Sequence, residues 1–301
     1  LPRPFMMRVP LPADWTRRVA AYPADGGPTG QAWLATVPGL LANALDTWRL
    51  VQDGPPMTGW TAIVVPVRRG EERLALKVTW PHPEGTHEAL ALRHWAGAAA
   101  VRLVAADPAR GVMLLELLDA ARDLRTVPVD EACATIGRLL ARLNVQAPMQ
   151  LIPMGDYLAP HLDRMAHRPA IPRRIVDRTR GLARDLLGPD IPNLLLHTDL
   201  HYENVLARDD EWVAIDPKPI GGHPGFELLP LLNNRVDELG ERPQAGVHRR
   251  VIIAAEAAGI DLDEAFAWAR LRAGLEVSWA TSLGDPAEVS RAITLQKALD
   301  D

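Results

Sequence analysis

A chain of 301 residues with 48% apolar and 24% charged side chains is ordinary globular material, long enough for two lobes that each bury a core. A net charge of -5 without any basic run argues against a nucleic-acid binder, which needs cations to neutralise phosphates. The one cysteine, Cys133, sits in an apolar helical pattern with Ala132, Ile136, Leu139 and Leu140, so a buried thiol in a reducing cytoplasm is expected.

The first seven residues carry no basic start followed by an apolar core, and runs such as Ala96 to Val101 are too short to cross a bilayer, so neither signal peptide nor membrane contact is expected. Helical spacing begins with Ala13 to Ala20 and continues from Thr29 or Gln31 to Leu50 through Trp33, Leu34, Val37, Leu41, Leu45 and Trp48. Trp60 to Arg68 and Arg73 to Trp80 read as a hairpin turning at Arg69-Gly70-Glu71. Glu84 to Ala100 has helical character, and Val101 to Ala105 and Val112 to Leu118 form a second strand pair around Asp107-Pro108-Ala109-Arg110-Gly111.

Helices then dominate, over Val129 to Gln146, Tyr157 to His167 and Arg173 to Leu187. Short strands at Leu194 to Leu196, Val205 to Arg208 and Trp212 to Ile215 interrupt them. Helices return over Val247 to Ala258, Leu262 to Ser282 and Pro286 to Leu299.

Of the 33 basic residues only Lys77, Lys218 and Lys297 are lysines; the other 30 are arginines. A lysine is a compact point charge suited to a phosphate or carboxylate in a confined place, which singles out Lys77 and Lys218.

The stretch from His197 to Asn204 crowds polar groups between two apolar strands, and a third apolar strand delivers Asp216 twelve residues beyond Asn204. Either aspartate alone reads as a turn residue after a strand. Together, Asp199, Asn204 and Asp216 supply what phosphoryl transfer requires: a carboxylate to accept the proton of an attacking hydroxyl, and oxygen ligands for magnesium on the phosphates.

His-x-Asp-x-x-x-x-Asn followed by Ile-Asp resembles the aminoglycoside phosphotransferase family, which shares the protein-kinase fold. The form His197-Thr198-Asp199-Leu200-His201 with Ala214-Ile215-Asp216-Pro217-Lys218 is most similar to its streptomycin 6-kinase and hydroxyurea phosphotransferase branch. The resemblance implies an α+β, two-lobe kinase-like fold. Residues 1–117 would be a small antiparallel-sheet nucleotide lobe with extra N-terminal helices, and residues 118–301 a larger, mostly helical catalytic and acceptor lobe.

It further implies Asp199 as catalytic base, Asn204 and Asp216 as Mg2+ ligands, and Lys77 on the α- and β-phosphates of ATP. Glu88, eleven residues after Lys77, would be its ion-pair partner, with Glu84 as the alternative. His197, His201 and Lys218 would support the loop. The segment Met113 to Leu118 would be an edge strand entering the hinge, with Glu116 and Leu118 offering backbone groups to adenine. No Gly-x-Gly-x-x-Gly precedes Lys77; the corresponding loop contains Gly59 and Thr61.

The implied reaction moves the γ-phosphate to a hydroxyl of a small molecule, an aminoglycoside such as streptomycin, with hydroxyurea or another small metabolite as the alternative. Residues 227–301 hold 13 acidic and 8 basic side chains, a field that would attract a cationic acceptor. Asp156, Glu227, Asp237 and Glu238 are candidate contacts, with Trp268 and Trp279 as stacking surfaces. Two rivals compete: a metal-dependent hydrolase built on the His197, Asp199 and His201 cluster, and a catalytically inactive nucleotide-binding module. A monomer or weak dimer in the cytoplasm is expected.

Overall fold

The computed structural model describes residues 9–300. The signal-peptide expectation, which concerns the first seven residues, falls outside that range. Among the described residues no helix is long and apolar enough to cross a membrane. The chain divides into two compact units at Asp119 and Ala120.

The first unit opens with α1 (Ala13–Ala20), α2 (Gly30–Leu34) and α3 (Val37–Thr47). What reads as one helix from about residue 30 to residue 50 is two, because Pro38 lacks an amide and suits only a helix start. The Thr29 hydroxyl caps α2 by accepting from the Ala32 amide.

Strands β1 (Val51–Gln52), β2 (Met57–Thr58), β3 (Ala62–Arg69), β4 (Glu72–Thr79), β5 (Leu103–Asp107) and β6 (Val112–Glu116) make one antiparallel sheet in the order β1-β3-β4-β6-β5, with β2 also on β3. The strand entering the expected hinge, β6, is therefore interior, flanked by β4 and β5 on either side, and β5 is the edge.

Side-chain alternation sends Leu74, Leu76 and Val78 of β4 into the core with Trp15, Val19, Trp33, Val37 and Leu41 of the three helices. Ala75, Lys77 and Thr79 alternate with them and so face the other side of the sheet. The intervening α4 (Glu88–Trp95) is shorter than its sequence pattern suggests. Pro83 starts a separate 3-10 turn ahead of it, and Ala96 ends it in the left-handed conformation (φ 51°) before Gly97.

The second unit contains α5 (Val129–Leu143), α6 (Met154–Ala166), α7 (Arg173–Leu186), α8 (Pro243–Ala258), α9 (Leu262–Leu283) and α10 (Pro286–Asp300). Two small antiparallel ribbons lie among them: β7 (Leu194–Leu196) with β10 (Ile220–Gly222), and β8 (Val205–Arg208) with β9 (Glu211–Ala214). β10 is absent from the sequence reading because Pro219, Gly221 and Gly222 signal a turn.

Close helix approach depends on small residues. A Cβ on Gly137 of α5 would lie 2.3 Å from the Ala254 carbonyl oxygen of α8. Gly137→Ala should therefore lower stability by about 2 kcal/mol despite alanine's better helix propensity, a loss measurable as a lower urea midpoint.

Candidate active site

In the first unit, Lys77 projects from β4 and its Nζ lies 2.6 Å from Glu88 Oε1 at the start of α4. Both side chains are buried, at 6% and 4% exposure, so each charge offsets part of the other's cost of leaving water. Glu84 sits exposed in the 3-10 turn Pro83–Gly85, ahead of the helix. Glu116 closes β6 and joins it to the start of β5: its Oε1 accepts the Arg102 amide at 2.7 Å, and its own amide donates to Arg102 O at 3.0 Å. Leu118 is half-buried at the end of this unit, and Gly59 and Thr61 lie on the loop between β2 and β3.

In the second unit, β7 ends at Leu196 and the chain enters the polar loop. The buried His197 imidazole accepts the Asp199 amide at Nδ1 (3.3 Å) and contacts Ile215 O from Nε2 (2.9 Å). Nδ1 must therefore be bare and Nε2 must carry the proton. Burial holds this imidazole down to about 4, against the charge of Asp199, so it is neutral near pH 7.

Asn204 Nδ2 donates to Asp199 O at 2.8 Å and approaches Asp199 Oδ2 at 3.5 Å. Lys218 Nζ is 3.3 Å from the same Oδ2. The Ile215 amide donates to Asn204 O (2.9 Å), placing exposed Asp216 just beyond the loop. Thr198, Asp199, Asn204, Asp216 and Lys218 are thus stitched into one cluster.

Two members are strained. Thr198 (φ 59°) and Asp216 (φ 60°) occupy the left-handed region, unusual for any residue but glycine and most of all for a β-branched one. Thr198 is held there from three sides. Its amide, with that of His197, donates to the Glu227 carboxylate at 2.9 and 2.5 Å. Its carbonyl accepts from Arg272 of α9, whose other nitrogen donates to Phe226 O at 2.8 Å. Its hydroxyl donates to Lys218 O at 2.5 Å.

Glu227 is fully buried, and that burial pushes its carboxyl up to about 7 against the opposing pull of the Arg272 guanidinium and the two amides. Glu276, one turn beyond Arg272 on α9, is likewise raised by burial.

The far side of the loop is anchored by residues the sequence reading did not nominate. Tyr202 is buried, with its hydroxyl 3.4 Å from Cys133 Sγ and its ring under the Arg235 guanidinium at 5.1 Å. Arg250 fixes Arg235 by donating to its carbonyl at 2.6 Å. Arg125 links the Asp123 carboxylate (2.6 Å) to Glu203 in the loop (2.6 Å). Apart from Asp123 and Arg125, two residues apart, nothing in local sequence spacing marks these contacts; a buried arginine on an otherwise apolar helix face, as at Arg272, is the one available signal.

The residues expected to meet an acceptor scatter. Glu227 and Trp268 are buried, the first spent on the loop amides and the second stacked on His223 with ring centroids 5.0 Å apart, so neither presents a surface to an acceptor. Trp279 is half-buried and its Nε1 donates to His161 Nδ1 at 3.0 Å. Asp156, Asp237 and Glu238 are exposed, and Glu238 is paired with Arg235, which holds its carboxyl below the ordinary range.

The metal-hydrolase rival fails on donor chemistry. Both His197 ring nitrogens are engaged by the backbone, and among the described residues no three His, Cys, Asp or Glu side chains converge as a metal site.

A sequence model described as "Aminoglycoside/hydroxyurea antibiotic resistance kinase" matches residues 47–284, leaving α1, α2 and nearly all of α3 ahead of the match. The chain is 37% identical to a streptomycin 6-kinase of Streptomyces glaucescens over 93% of its own length and 94% of that protein. It is also 37% identical to a hydroxyurea phosphotransferase of Kitasatospora aureofaciens, over 95% of this chain and 88% of that one. A choline/ethanolamine kinase family protein of Mesorhizobium loti shares the fold, with a TM-score of 0.60 at 19% identity over 82% of this chain and 88% of that one.

The shifted groups act oppositely on stability. Glu227, raised from 4.5 to about 7, contributes stability that is full below pH 4.5 and lost as pH rises through 7. His197, lowered from 6.5 to about 4, contributes stability that is full above pH 6.5 and lost as pH falls through 4. Glu227→Gln removes only the first effect. From about pH 5 to about pH 8 its unfolding free energy should gain on the parent's by on the order of 3 kcal/mol. Urea melts across that range measure it, and a difference independent of pH would show Glu227 ionised throughout.

Proposed function

Because the chain belongs to the aminoglycoside/hydroxyurea antibiotic resistance kinase family, and is therefore an ATP-dependent small-molecule phosphotransferase, we propose that its acceptor is an aminoglycoside of the streptomycin type. The observation that supports this most is the clustering of Asp199, Asn204 and Lys218 on one braced loop, in a chain 37% identical to a streptomycin 6-kinase. Hydroxyurea is the second reading, favoured by an equal identity to a hydroxyurea phosphotransferase.

Nucleotide binding is assigned to residues 1–117 and acceptor binding to residues 118–301. Lys77 holds the α- and β-phosphates and is itself fixed by Glu88. The adenine is held by backbone groups of Glu116 and Leu118, and Gly59 and Thr61 meet the phosphates.

Asp199 orients the acceptor hydroxyl and takes its proton as the oxygen attacks the γ-phosphorus. The bond from that phosphorus to the bridging oxygen breaks, and ADP leaves with the electron pair. Lys218, beside Asp199, supplies a cation to the transferring phosphoryl group. His197, neutral and backbone-bound, and His201 set the shape of the loop.

The all-oxygen donor set of Asn204 and Asp216 suits magnesium. Asn204 spends its nitrogen on Asp199 O, which leaves its amide oxygen for a cation, and the Asp216 carboxylate is exposed. Magnesium held there would neutralise charge on the β- and γ-phosphates.

A cationic acceptor is drawn by the acidic excess of residues 227–301, with exposed Asp156, Asp237 and Glu238 as contacts and Trp279 as a stacking edge. A cytoplasmic location fits the single buried thiol, which would stay reduced there, and the protein is assigned as a monomer or weak dimer.

ADP release should be measured with ATP, magnesium and a panel of streptomycin, other aminoglycosides, hydroxyurea and simple amino-alcohols. Turnover should be fastest with streptomycin; a hydroxyurea optimum would reassign the acceptor. ATP raising the Tm without ADP release from any acceptor would point to a binding module.

Asp199→Asn keeps the shape and loses the base, so kcat should fall by about a thousandfold while KM for ATP stays within about threefold. Near-parental turnover in that variant would remove Asp199 from its assigned role.

A further inference from the structure

The loop that stands where kinases carry a glycine-rich phosphate loop contains one glycine, Gly59, followed by Trp60 and Thr61. It joins β2 to β3 at the sheet end near Lys77, since Val64 pairs with Lys77 and Ala62 with Thr79.

All three of its carbonyls are tied back within the first unit. Gly59 O accepts Arg18 Nη2 at 2.7 Å, Trp60 O accepts the Tyr22 hydroxyl at 3.1 Å, and Thr61 O accepts the Trp80 amide at 2.7 Å. The Arg18 guanidinium also lies over the Trp60 ring, 4.8 Å from its centroid, although that indole is 75% exposed.

The braces have firm footings. Arg18 stands on α1, whose Trp15 and Val19 are buried in the core, and the Tyr22 ring packs on Trp80 at 5.3 Å. The Gly59 amide closes the turn onto Ala62 O at 2.9 Å. By contrast, among the described residues the amides of Trp60 and Thr61 donate to no backbone or side-chain acceptor.

A loop with every carbonyl occupied and two successive amides free is polarised: its negative ends are neutralised and its positive ends are available to an anion. Flexible glycines are not needed when outside groups hold the backbone.

We propose that Gly59-Trp60-Thr61 is a phosphate cradle polarised by the N-terminal helical segment, with Arg18 and Tyr22 as positioning residues that present the Trp60 and Thr61 amides to the nucleotide phosphates. The inference rests on the nucleotide-binding reading of the first unit but adds residues ahead of the family match. The guanidinium acts through the loop, as a donor to the Gly59 carbonyl and as a cation stacked on the Trp60 ring.

The test uses the full-length chain with Arg18→Ala, Arg18→Lys and Tyr22→Phe, each measured for ATP Kd by titration, for KM of ATP and of the acceptor, for kcat and for Tm. Arg18→Ala should raise Kd and KM for ATP about tenfold, with kcat at saturating ATP and KM for the acceptor within about twofold. Arg18→Lys should recover Kd to within about threefold, and Tyr22→Phe should weaken it by about threefold.

Amide hydrogen exchange supplies a readout that a merely structural role would not move. ATP should slow exchange at Trp60 and Thr61 in the parent and fail to do so in Arg18→Ala.

An unchanged ATP Kd in Arg18→Ala overturns the cradle. So does a change in which both KM values and kcat move together with a lowered Tm. ATP Kd is read without turnover, so a parent that binds ATP but phosphorylates none of the acceptors overturns the functional reading alone. A parent that binds no ATP overturns both.

Discussion

Two backbone amides on one buried carboxylate set the geometry on which the second unit's chemistry depends. Glu227 takes the amides of His197 and Thr198, and Arg272 takes the Thr198 carbonyl, so the peptide groups around a strained residue are gripped from both sides. Held there, Thr198 places its hydroxyl on Lys218 O, which brings the segment after Asp216 against the loop that carries Asp199. Without the grip a β-branched residue would relax out of the left-handed region, a change worth about 1 to 2 kcal/mol, and carry Asp199 with it. Burial still outweighs the two amides and the nearby guanidinium, which is why the Glu227 carboxyl is pushed up to about 7.

The first unit solves a related problem by burying a whole ion pair. Lys77 and Glu88 sit on the sheet face opposite Leu74, Leu76 and Val78, which the three N-terminal helices cover. Burial sharpens the position of the Lys77 ammonium, since parting the 2.6 Å contact inside the protein costs far more than parting it in water. The helices that cover the other face thus do more than complete a core: they fix the sheet from which Lys77 projects, and α1 reaches on to the β2–β3 loop.

What could be read from the chain was whatever depended on short separations. Asp199 and Asn204, five apart, are recognisable because residue type and local spacing together are rare, whereas the pairing of Lys77 with Glu88 rather than Glu84 comes only from the family resemblance. Most strands and helices follow their periodicity, and the errors have local causes. Pro38 splits a helix, Pro83 shortens another, and paired glycines disguise β10. What escaped depends on tertiary proximity: Arg272 reaches Thr198 across 74 residues, and Arg235 reaches Leu124 across 111. Glu227 and Trp268 were visible as residue types, but their burial was not, because an acidic or aromatic side chain on an amphipathic stretch reads equally well as surface.

Thr198 carries a lesson for directed evolution. Glycine would occupy its left-handed backbone without strain, so a library screened for heat resistance alone will be drawn toward this position. Yet glycine brings no hydroxyl for Lys218 O and widens the range of conformations open to the neighbouring aspartate. Thermal robustness and a rigid loop are therefore opposed at one residue, and a selection that scores both should retain threonine.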